Sequence, residues 1–414
     1  MRFETVTTTV LVVFCVVYAG LMLGTIPGLA LDRSGIALLG AIALVALGVM
    51  TPEAAWEAID VPTLALLFGL MIVSSQFRLA GFYSALTRRL TSSTWGAERT
   101  LLLVVLTSGA LSALLVNDIV CFALAPIAVE LAKARRLNPL PFLLATAAGS
   151  NVGSAATLIG NPQNMLIGQQ LELSFAGYLG VALLPATLGL FATWWVIARA
   201  YRGRFEGSAE AAVEAMAPAL DRWQTIKGVS VLALVVAAFL FGHWPREVVA
   251  LVAAGVILLS RRLASGRFMG LVDWPLLTMF AGLFVLHRAL DTTGLAASGM
   301  QGCASLGLDL GNPIVLFLVT PLLSNLVSNV PAIMLLLPAA DHPLAGPILA
   351  LSSTLAGNLF LLGSIANLIV VEQAARLGIK VGWREHARVG VPITLITLGI
   401  AAAWLWIRWR LGGV

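Results

Sequence analysis

The chain has 414 residues, of which 59% are hydrophobic and 11% charged, with a mean hydropathy of +0.95 and a formal net charge of +5. A soluble domain typically carries about 25% charged residues, so this composition excludes a soluble globular protein. The basic residues are scattered through short loops, which excludes the clustered basic surface of a nucleic-acid-binding protein. Apolar runs close to the ~20 residues that span a bilayer recur along the chain. They predict a multi-pass protein of the cell (inner) membrane.

In chain order, the apolar runs divide into two similar sets. We predict an all-α polytopic fold with a first repeat at 1–200, a cytoplasmic linker at 201–227 and a second repeat at 228–414. Each repeat has five crossings and one re-entrant hairpin, which makes about ten crossings in all. The first repeat has crossings near 6–29, 34–50, 61–86, 140–170 and 175–198 and a hairpin at 100–134. The second has crossings near 228–243, 246–260, 272–290, 347–375 and 389–407 and a hairpin at 311–340.

The two halves match each other in three places, in the same order. Because each repeat has an odd number of crossings, the second begins on the opposite face of the bilayer. This inverted repeat is typical of secondary transporters. The first two matches share a separation of 211 residues. The matches are VPTLALLFGL at Val61 with VDWPLLTMFAGL at Val272, VNDIVCFALAPI at Val116 with VSNVPAIMLLLP at Val327, and LIGNPQNMLI at Leu158 with LLGSIANLIV at Leu361.

The basic residues predict the orientation of the chain. With the loop at Arg33 in the cytoplasm, 19 of the 25 Lys and Arg residues lie on that side of the membrane. Cytoplasmic loops carry such an excess, so the positive-inside rule favours this orientation. The polar stretch at 203–225 is then a cytoplasmic linker between the repeats.

The crossing at 140–170 has a polar centre, GSNVGSAATLIGNPQN from Gly149 to Asn164. Pro162 has no N–H to donate, and it disfavours helical geometry at Asn161. In hydrocarbon each unpaired backbone group costs several kcal/mol, so a broken helix survives only beside protein or a water-filled cavity. We therefore predict two half-helices with an unwound centre here and at 347–375. The predicted helix-breaking residues are Gly149, Gly160, Asn161, Pro162, Gly357 and Gly363.

Each hairpin has a polar tip, at Val116-Asn117-Asp118 and between Leu323 and Pro331. Half-helix N-termini attract anions, and exposed carbonyl and Asn oxygens suit Na⁺. We predict one central cavity that is flanked by two ion sites. The candidate substrate-binding residues are Asn117, Asn164, Ser328, Asn329 and Asn367. The candidate coupling-ion residues are Asp118, Asn117, Asn151, Gly153, Asn329 and Asn358. The sequence indicates no cofactor and no metal beyond a possible Na⁺.

Asp118 is the only acidic residue that this topology places near mid-membrane. A carboxylate there costs at least ~2.5 kcal/mol, so a functional role is the first hypothesis: Asp118 binds the coupling proton or Na⁺. Alternatively, it caps the second half-helix of the hairpin or pairs with Arg78 or Arg288. The four histidines have no metal-ligand spacing and are interpreted as loop or boundary residues: His243, His287, His342 and His386.

The paired hairpins with Asn-containing tips, followed by Gly/Asn-rich broken helices, resemble the ion transporter superfamily over roughly residues 30–410. Its members include divalent anion/sodium symporters, arsenite permeases and NhaD-type sodium/proton antiporters. The dicarboxylate symporters carry Ser-Asn-Thr at both tips, and here Asn117, Ser328 and Asn329 match that pattern. The Asn-Asp and Asn-x-Pro tips are closer to those of arsenite permeases and uncharacterised anion permeases. The resemblance implies a homodimer with an elevator-like motion.

These features predict a secondary transporter that moves a small inorganic or carboxylic anion, or arsenite, by alternating access. The coupling ion is H⁺ or Na⁺. The alternatives are a sodium/proton antiporter that works through Asp118 without an anion, and an ion channel. The sequence has no GxxxxGK[ST], GxSxG or HExxH motif, so ATP hydrolysis by this chain and enzymatic activity are not expected.

Overall fold

The computed structural model describes residues 3–24, 28–91, 95–206 and 219–412, apart from the side chains of residues 3, 87, 88, 90 and 91. Residues 207–218 of the predicted linker lie outside the described residues, as does the side chain of Arg88. The first half of the described chain contains α1 (Phe3–Leu23), α2 (Arg33–Ala46), α3 (Pro52–Glu57), α4 (Val61–Leu79), α5 (Phe82–Thr91), α6 (Ala97–Leu114), α7 (Asn117–Ala134), α8 (Leu140–Ser154), α9 (Pro162–Gln170) and α10 (Phe175–Ala200).

The second half repeats this order of long and short helices. It contains α11 (Arg222–Phe241), α12 (Arg246–Leu258), α13 (Ser265–Met269), α14 (Trp274–Thr292), α15 (Leu295–Ser305), α16 (Pro313–Val327), α17 (Asn329–Leu336), α18 (Ala345–Ala356), α19 (Ile365–Arg376) and α20 (Trp383–Arg410). Short 3₁₀ turns follow α17 at Leu337–Ala339 and precede α19 at Leu361–Gly363.

The two halves pack against each other reciprocally, with α2 against α14 and α12 against α4. Both contacts need a glycine. A Cβ on Gly69 would lie 2.6 Å from the carbonyl carbon of Ala250, and one on Gly282 would lie 2.6 Å from the carbonyl oxygen of Ala37. Gly69 and Gly282 are 213 positions apart, as are Ala37 and Ala250. These contacts therefore make α4 and α14 equivalent at a separation of 213 positions. The alignment that begins at Val61 has a separation of 211 positions, two fewer.

Six helices of the described chain are long and apolar enough to cross a membrane, which confirms the prediction of an all-α multi-pass membrane protein. Segments that the predicted orientation places on the cytoplasmic face also contact each other. The Asn138 side chain donates to the Arg204 carbonyl, and Tyr201 donates to Glu385, both on the predicted cytoplasmic face. The count of ten crossings stays a prediction. The six helices are α1, α4, α6, α10, α11 and α20.

The helix boundaries differ from the predicted runs at several ends, and most clearly in two places. The predicted crossing at 61–86 is wrong at its end, because α4 stops at Leu79 and the chain turns at Gly81 with φ +69° before α5. The short helix α15 occupies a segment that was predicted to be a loop. It is the counterpart of α5 in the repeat. A positive φ at a glycine ends a helix without strain, which the apolar pattern does not reveal.

Four interruptions lie within the predicted hairpins and crossings: at 115–116, at Ser328, at 155–161 and at 357–364. Gly149 does not break its helix, however, because it lies inside α8. A Cβ there would lie 2.5 Å from the Ser108 hydroxyl oxygen, so Gly149 serves the close approach of α6 to α8. Gly153 serves the same contact, where a Cβ would lie 2.2 Å from the Cα of Gly109.

Candidate functional site

Four half-helices begin at one small cavity in the centre of the molecule. They are α7 and α17, which follow the two hairpin tips, and α9 and α19, which follow the two unwound segments. The cavity has a volume of about 20 Å³, which is room for about one water molecule. Each half of the chain therefore supplies one hairpin tip and one broken helix. The lining residues are Asn117, Asp118, Pro162, Gln163, Leu276, Met279, Ser328, Asn329, Val330, Ser364 and Ile365.

The electrostatics of the cavity come from these four N-termini and from Asp118. A helix N-terminus carries roughly half a positive charge, together with N–H groups that have no partner in the helix. Asp118 is the one ionisable side chain in the lining that the structure describes, and 9% of its surface is exposed. Four partial positive charges thus surround one carboxyl group.

Asp118 has no arginine partner in the described part of the chain. The guanidinium of Arg78 stacks over the ring of Phe122, 3.9 Å from its centroid. Arg288 instead lines a separate, larger cavity. The alternative in which Asp118 pairs with Arg78 or Arg288 is therefore wrong, and its carboxyl group is left facing the central cavity.

The first hairpin tip is held by backbone hydrogen bonds. The Asn117 N–H donates to the Gly160 carbonyl in the unwound segment, at 3.0 Å, and the Val116 N–H donates to the Ser74 hydroxyl of α4, at 3.2 Å. The Oδ1 atom of Asn117 is buried and has no hydrogen-bond partner among the described residues. This oxygen is a free acceptor at the cavity, which suits a cation or a protonated ligand.

The second hairpin tip contains a strained residue. Ser328 has φ +79° and ψ 158°, a conformation that is essentially confined to glycine. The next residue, Asn329, begins α17 and accepts a hydrogen bond from Ser324 in α16 through its Oδ1 atom. The strain places Ser328 and Asn329 against the cavity, where both side chains line it.

This strain gives a direct prediction for stability. Ser328→Gly removes the Cβ that makes the conformation unfavourable, whereas Ser328→Ala keeps it. We expect the glycine variant to be more stable than the alanine variant by about 1 kcal/mol or more. Thermal unfolding of the two purified variants measures the difference. Equal stability would show that the tip is not strained at this residue.

The two broken helices are joined by a polar network with approximate twofold symmetry. The Asn151 side chain donates to the Oδ1 atoms of Asn358 and Asn367, at 2.9 and 3.0 Å, and accepts from the Ser364 hydroxyl at 2.9 Å. In the other half, the Thr354 hydroxyl accepts from Asn161 at 3.2 Å. Thr354 is 203 positions after Asn151, as Ser364 is after Asn161.

Asn164 and Asn367 are equivalent residues in this network. Asn164 donates to the Thr157 carbonyl at 2.9 Å, and Asn367 donates to the Gly357 carbonyl at 2.8 Å. Each amide therefore satisfies the carbonyl groups of its own unwound segment. Asn161 and Ser364 accept from backbone N–H groups as the N-caps of α9 and α19. Gly160 also sits within this packing, because a Cβ there would lie 2.2 Å from the Ser154 carbonyl oxygen.

The structure thus divides the candidate residues into two groups. Those that line the cavity are Asn117, Asp118, Ser328 and Asn329. Those that lie outside its lining, in helix packing or in the polar network, are Asn151, Gly153, Asn164, Asn358 and Asn367.

Sequence reasoning missed two polar residues of the centre. Gln163 lines the cavity but was not among the candidate ligands. Its signal in the sequence is its position at the start of a half-helix, directly after a predicted break. His386, interpreted as a loop or boundary residue, is buried, and its Nε2 atom lies 3.0 Å from the Asn358 carbonyl oxygen.

Comparison with known proteins places this arrangement in a family. Residues 9–348 match the family model described as Citrate transporter. The chain belongs to the citrate transporter family. This membership confirms the resemblance to the ion transporter superfamily. As a member, the chain is a membrane transporter with multiple spanning helices.

Relatives of this citrate-transporter family member come from distant organisms. The silicon efflux transporter LSI3 of Oryza sativa is 30% identical, covering 91% of this chain and 93% of the relative. The inner membrane protein YbiR of Escherichia coli is 30% identical, with 83% of this chain and 87% of the relative covered. A 46 kDa membrane protein of Mycobacterium leprae is 29% identical, over 90% of this chain and 93% of its own length.

A solved structure shares the fold of the whole chain. The YdaH transporter of Alcanivorax borkumensis superposes with a TM-score of 0.61 and 17% identity, over 99% of this chain and 98% of that one. The similarity in fold therefore extends over both halves of this chain.

Proposed function

We propose that this protein is a secondary transporter that moves a small anion by alternating access, coupled to a proton or Na⁺ at Asp118. One observation carries the proposal: four half-helix N-termini and a single carboxyl group meet at one cavity. Convergent N-termini are a favourable environment for an anion. A site that presented carbonyl oxygens alone would favour a cation instead.

The balance of charge at the cavity provides the coupling. The four N-termini stabilise one negative charge, which is either the ionised Asp118 or a bound anion. Two negative charges in one cavity repel each other, so anion binding favours an Asp118 that is protonated or paired with a cation. An anion and a coupling cation therefore bind together and cross together.

The size of the cavity indicates a closed state. A volume of about 20 Å³ is too small for a carboxylate or an oxyanion, so the hairpin tips must separate to admit one. The Citrate transporter family and the silicon efflux relative point to small carboxylic or inorganic substrates. We propose citrate and arsenite as the first substrates to test.

Uptake in proteoliposomes tests this proposal. We expect radiolabelled anion to accumulate inside when a proton or Na⁺ gradient is imposed, and to accumulate less with Asn117→Ala or Asn329→Ala. Each of these variants removes one amide from a cavity tip, so an effect of about tenfold on apparent affinity is expected. Thr187→Ala, on the exposed face of α10, is the control.

The second candidate function is sodium/proton exchange through Asp118. Its support is the Asn117 Oδ1 atom, which has no hydrogen-bond partner among the described residues and is a suitable ligand for Na⁺. Proton movement that is driven by Na⁺ in the complete absence of an anion would favour this exchange and contradict anion transport. Flux that does not saturate with substrate would instead indicate a channel.

A further inference from the structure

A second titratable group, outside the lining of the Asp118 cavity, is linked to the other hairpin through one side chain. His287 lies on α14, and its Nε2 atom is 3.1 Å from the hydroxyl oxygen of Tyr18 on α1. The same hydroxyl is 3.1 Å from the carbonyl oxygen of Pro331, in the first turn of α17. A chain of three groups therefore connects α14 to the second hairpin through α1.

The donors and acceptors of this chain do not balance when His287 is neutral. Its Nδ1 atom lies 2.8 Å from the Leu283 carbonyl oxygen, which only accepts, so Nδ1 carries the hydrogen. The Nε2 atom is then a bare acceptor. Tyr18 has one hydroxyl hydrogen and faces two acceptors, Nε2 and the Pro331 carbonyl. In the neutral state it satisfies only one of them.

A proton on Nε2 removes this conflict. The Nε2–H group then donates to the Tyr18 oxygen, and the Tyr18 hydrogen is free to donate to the Pro331 carbonyl. All three contacts in this row of groups are then hydrogen bonds, from Leu283 through His287 and Tyr18 to Pro331. Binding of one proton to His287 thus adds one hydrogen bond that holds the second hairpin.

The residue equivalent to His287 in the first half also belongs to a hydrogen-bonded contact with a hairpin. His287 is 213 positions after Ser74, the separation that also relates Gly69 to Gly282. Ser74 accepts from the Val116 N–H at the tip of the first hairpin. A serine hydroxyl does not gain a proton, whereas an imidazole does. Of these two equivalent positions, the one at the second hairpin therefore carries the proton-binding group.

A large cavity gives protons access to His287. It has a volume of about 1080 Å³, lies between the second hairpin and helices α1, α3, α14 and α15, and includes His287 in its lining. The predicted orientation places it on the outer side of the membrane. The other ionisable groups in the lining are Glu57 and Asp60 between α2 and α4, Arg288 and Asp291 on α14 and Cys303 on α15.

We propose that His287 is a proton-binding site on the outer side, and that its protonated form fastens the second hairpin to α1 through Tyr18. The inference rests on the proposed transport function, in which this hairpin moves to admit the substrate. Because coupling is reciprocal, closure of the hairpin also favours proton binding at His287. The site is separate from the coupling site at Asp118.

Hydrogen–deuterium exchange of α17 in the purified full-length protein tests this proposal. After correction for intrinsic amide rates, exchange in 329–336 is expected to be up to about fivefold slower at pH 4 than at pH 8, the effect of one net hydrogen bond. Tyr18→Phe removes only the hydroxyl and should abolish the difference, as should His287→Asn. His342→Gln, which changes an outer histidine outside this chain of contacts, should preserve it.

Nuclear magnetic resonance of ¹⁵N-histidine provides an independent measurement. In the wild type, Nδ1 of His287 should stay protonated throughout, and Nε2 should gain its hydrogen as the pH falls. A hairpin exchange rate that is independent of pH, or a pH effect that persists in Tyr18→Phe, would overturn the proposal. Neither readout requires transport, so loss of anion uptake with an intact pH response would overturn the proposed function alone.

Discussion

Asp118→Asn is expected to abolish accumulation driven by a proton or Na⁺ gradient while preserving exchange of anion across the membrane. Asparagine resembles the neutral form of Asp118, so the anion still meets four helix N-termini without a competing carboxylate. The coupling itself is lost, because the side chain no longer gains or releases a proton. Coupling of this kind is typically worth about 5- to 150-fold in affinity.

The experiment compares two assays on the same proteoliposomes. Gradient-driven uptake should fall to the level of empty vesicles, whereas counterflow of labelled against unlabelled anion should continue. Asp32→Asn is the matched control, because Asp32 is an exposed N-cap of α2 and asparagine also caps a helix. Gradient-driven uptake that is unchanged in Asp118→Asn would contradict the coupling role.

Asn151→Leu is expected to cause the largest loss of stability. Asn151 makes three hydrogen bonds that join the two broken helices, to Asn358, Asn367 and Ser364, and all of these residues are buried. Leucine leaves their polar atoms without partners, and each unsatisfied buried group costs about 1–3 kcal/mol. The unfolding temperature of the purified protein should fall by roughly 10 °C.

The twofold relation in the network provides a further check. Thr354→Val removes the hydroxyl that contacts Asn161, Gln163 and Asn164, so it should destabilise the protein in the same way. Thr187→Ala removes a hydroxyl that bonds only within its own helix and should change the stability by less than about 0.5 kcal/mol. A small effect of Asn151→Leu would mean that the network does not hold the halves together.

The positions of the breaks were accessible from the sequence because their causes are local. Pro162 lacks an N–H wherever it stands, and Asn161 is an N-cap residue by its own chemistry. The same local reasoning failed at Gly149. A glycine pair within an apolar run is compatible with a break or with close packing, and only the neighbouring helix α6 decides between them.

The roles of the asparagines were not accessible in this way. Asn117 and Asn151 are both polar residues in apolar runs, yet one lines the cavity and the other joins two helices. His287 illustrates the same limit, because its partner Tyr18 is 269 positions away. Such contacts depend on where the repeat brings distant segments together.

The sequence by itself determined that this protein folds in a lipid bilayer, that its two halves repeat and that two of its crossings are broken. These follow from composition and from the backbone chemistry of Gly, Pro and Asn, which act within a few residues. Only the tertiary structure decided which polar groups face the cavity and which face each other. A buried donor must find its acceptor, and for Asn151 and Asn161 acceptors lie in the opposite half of the chain.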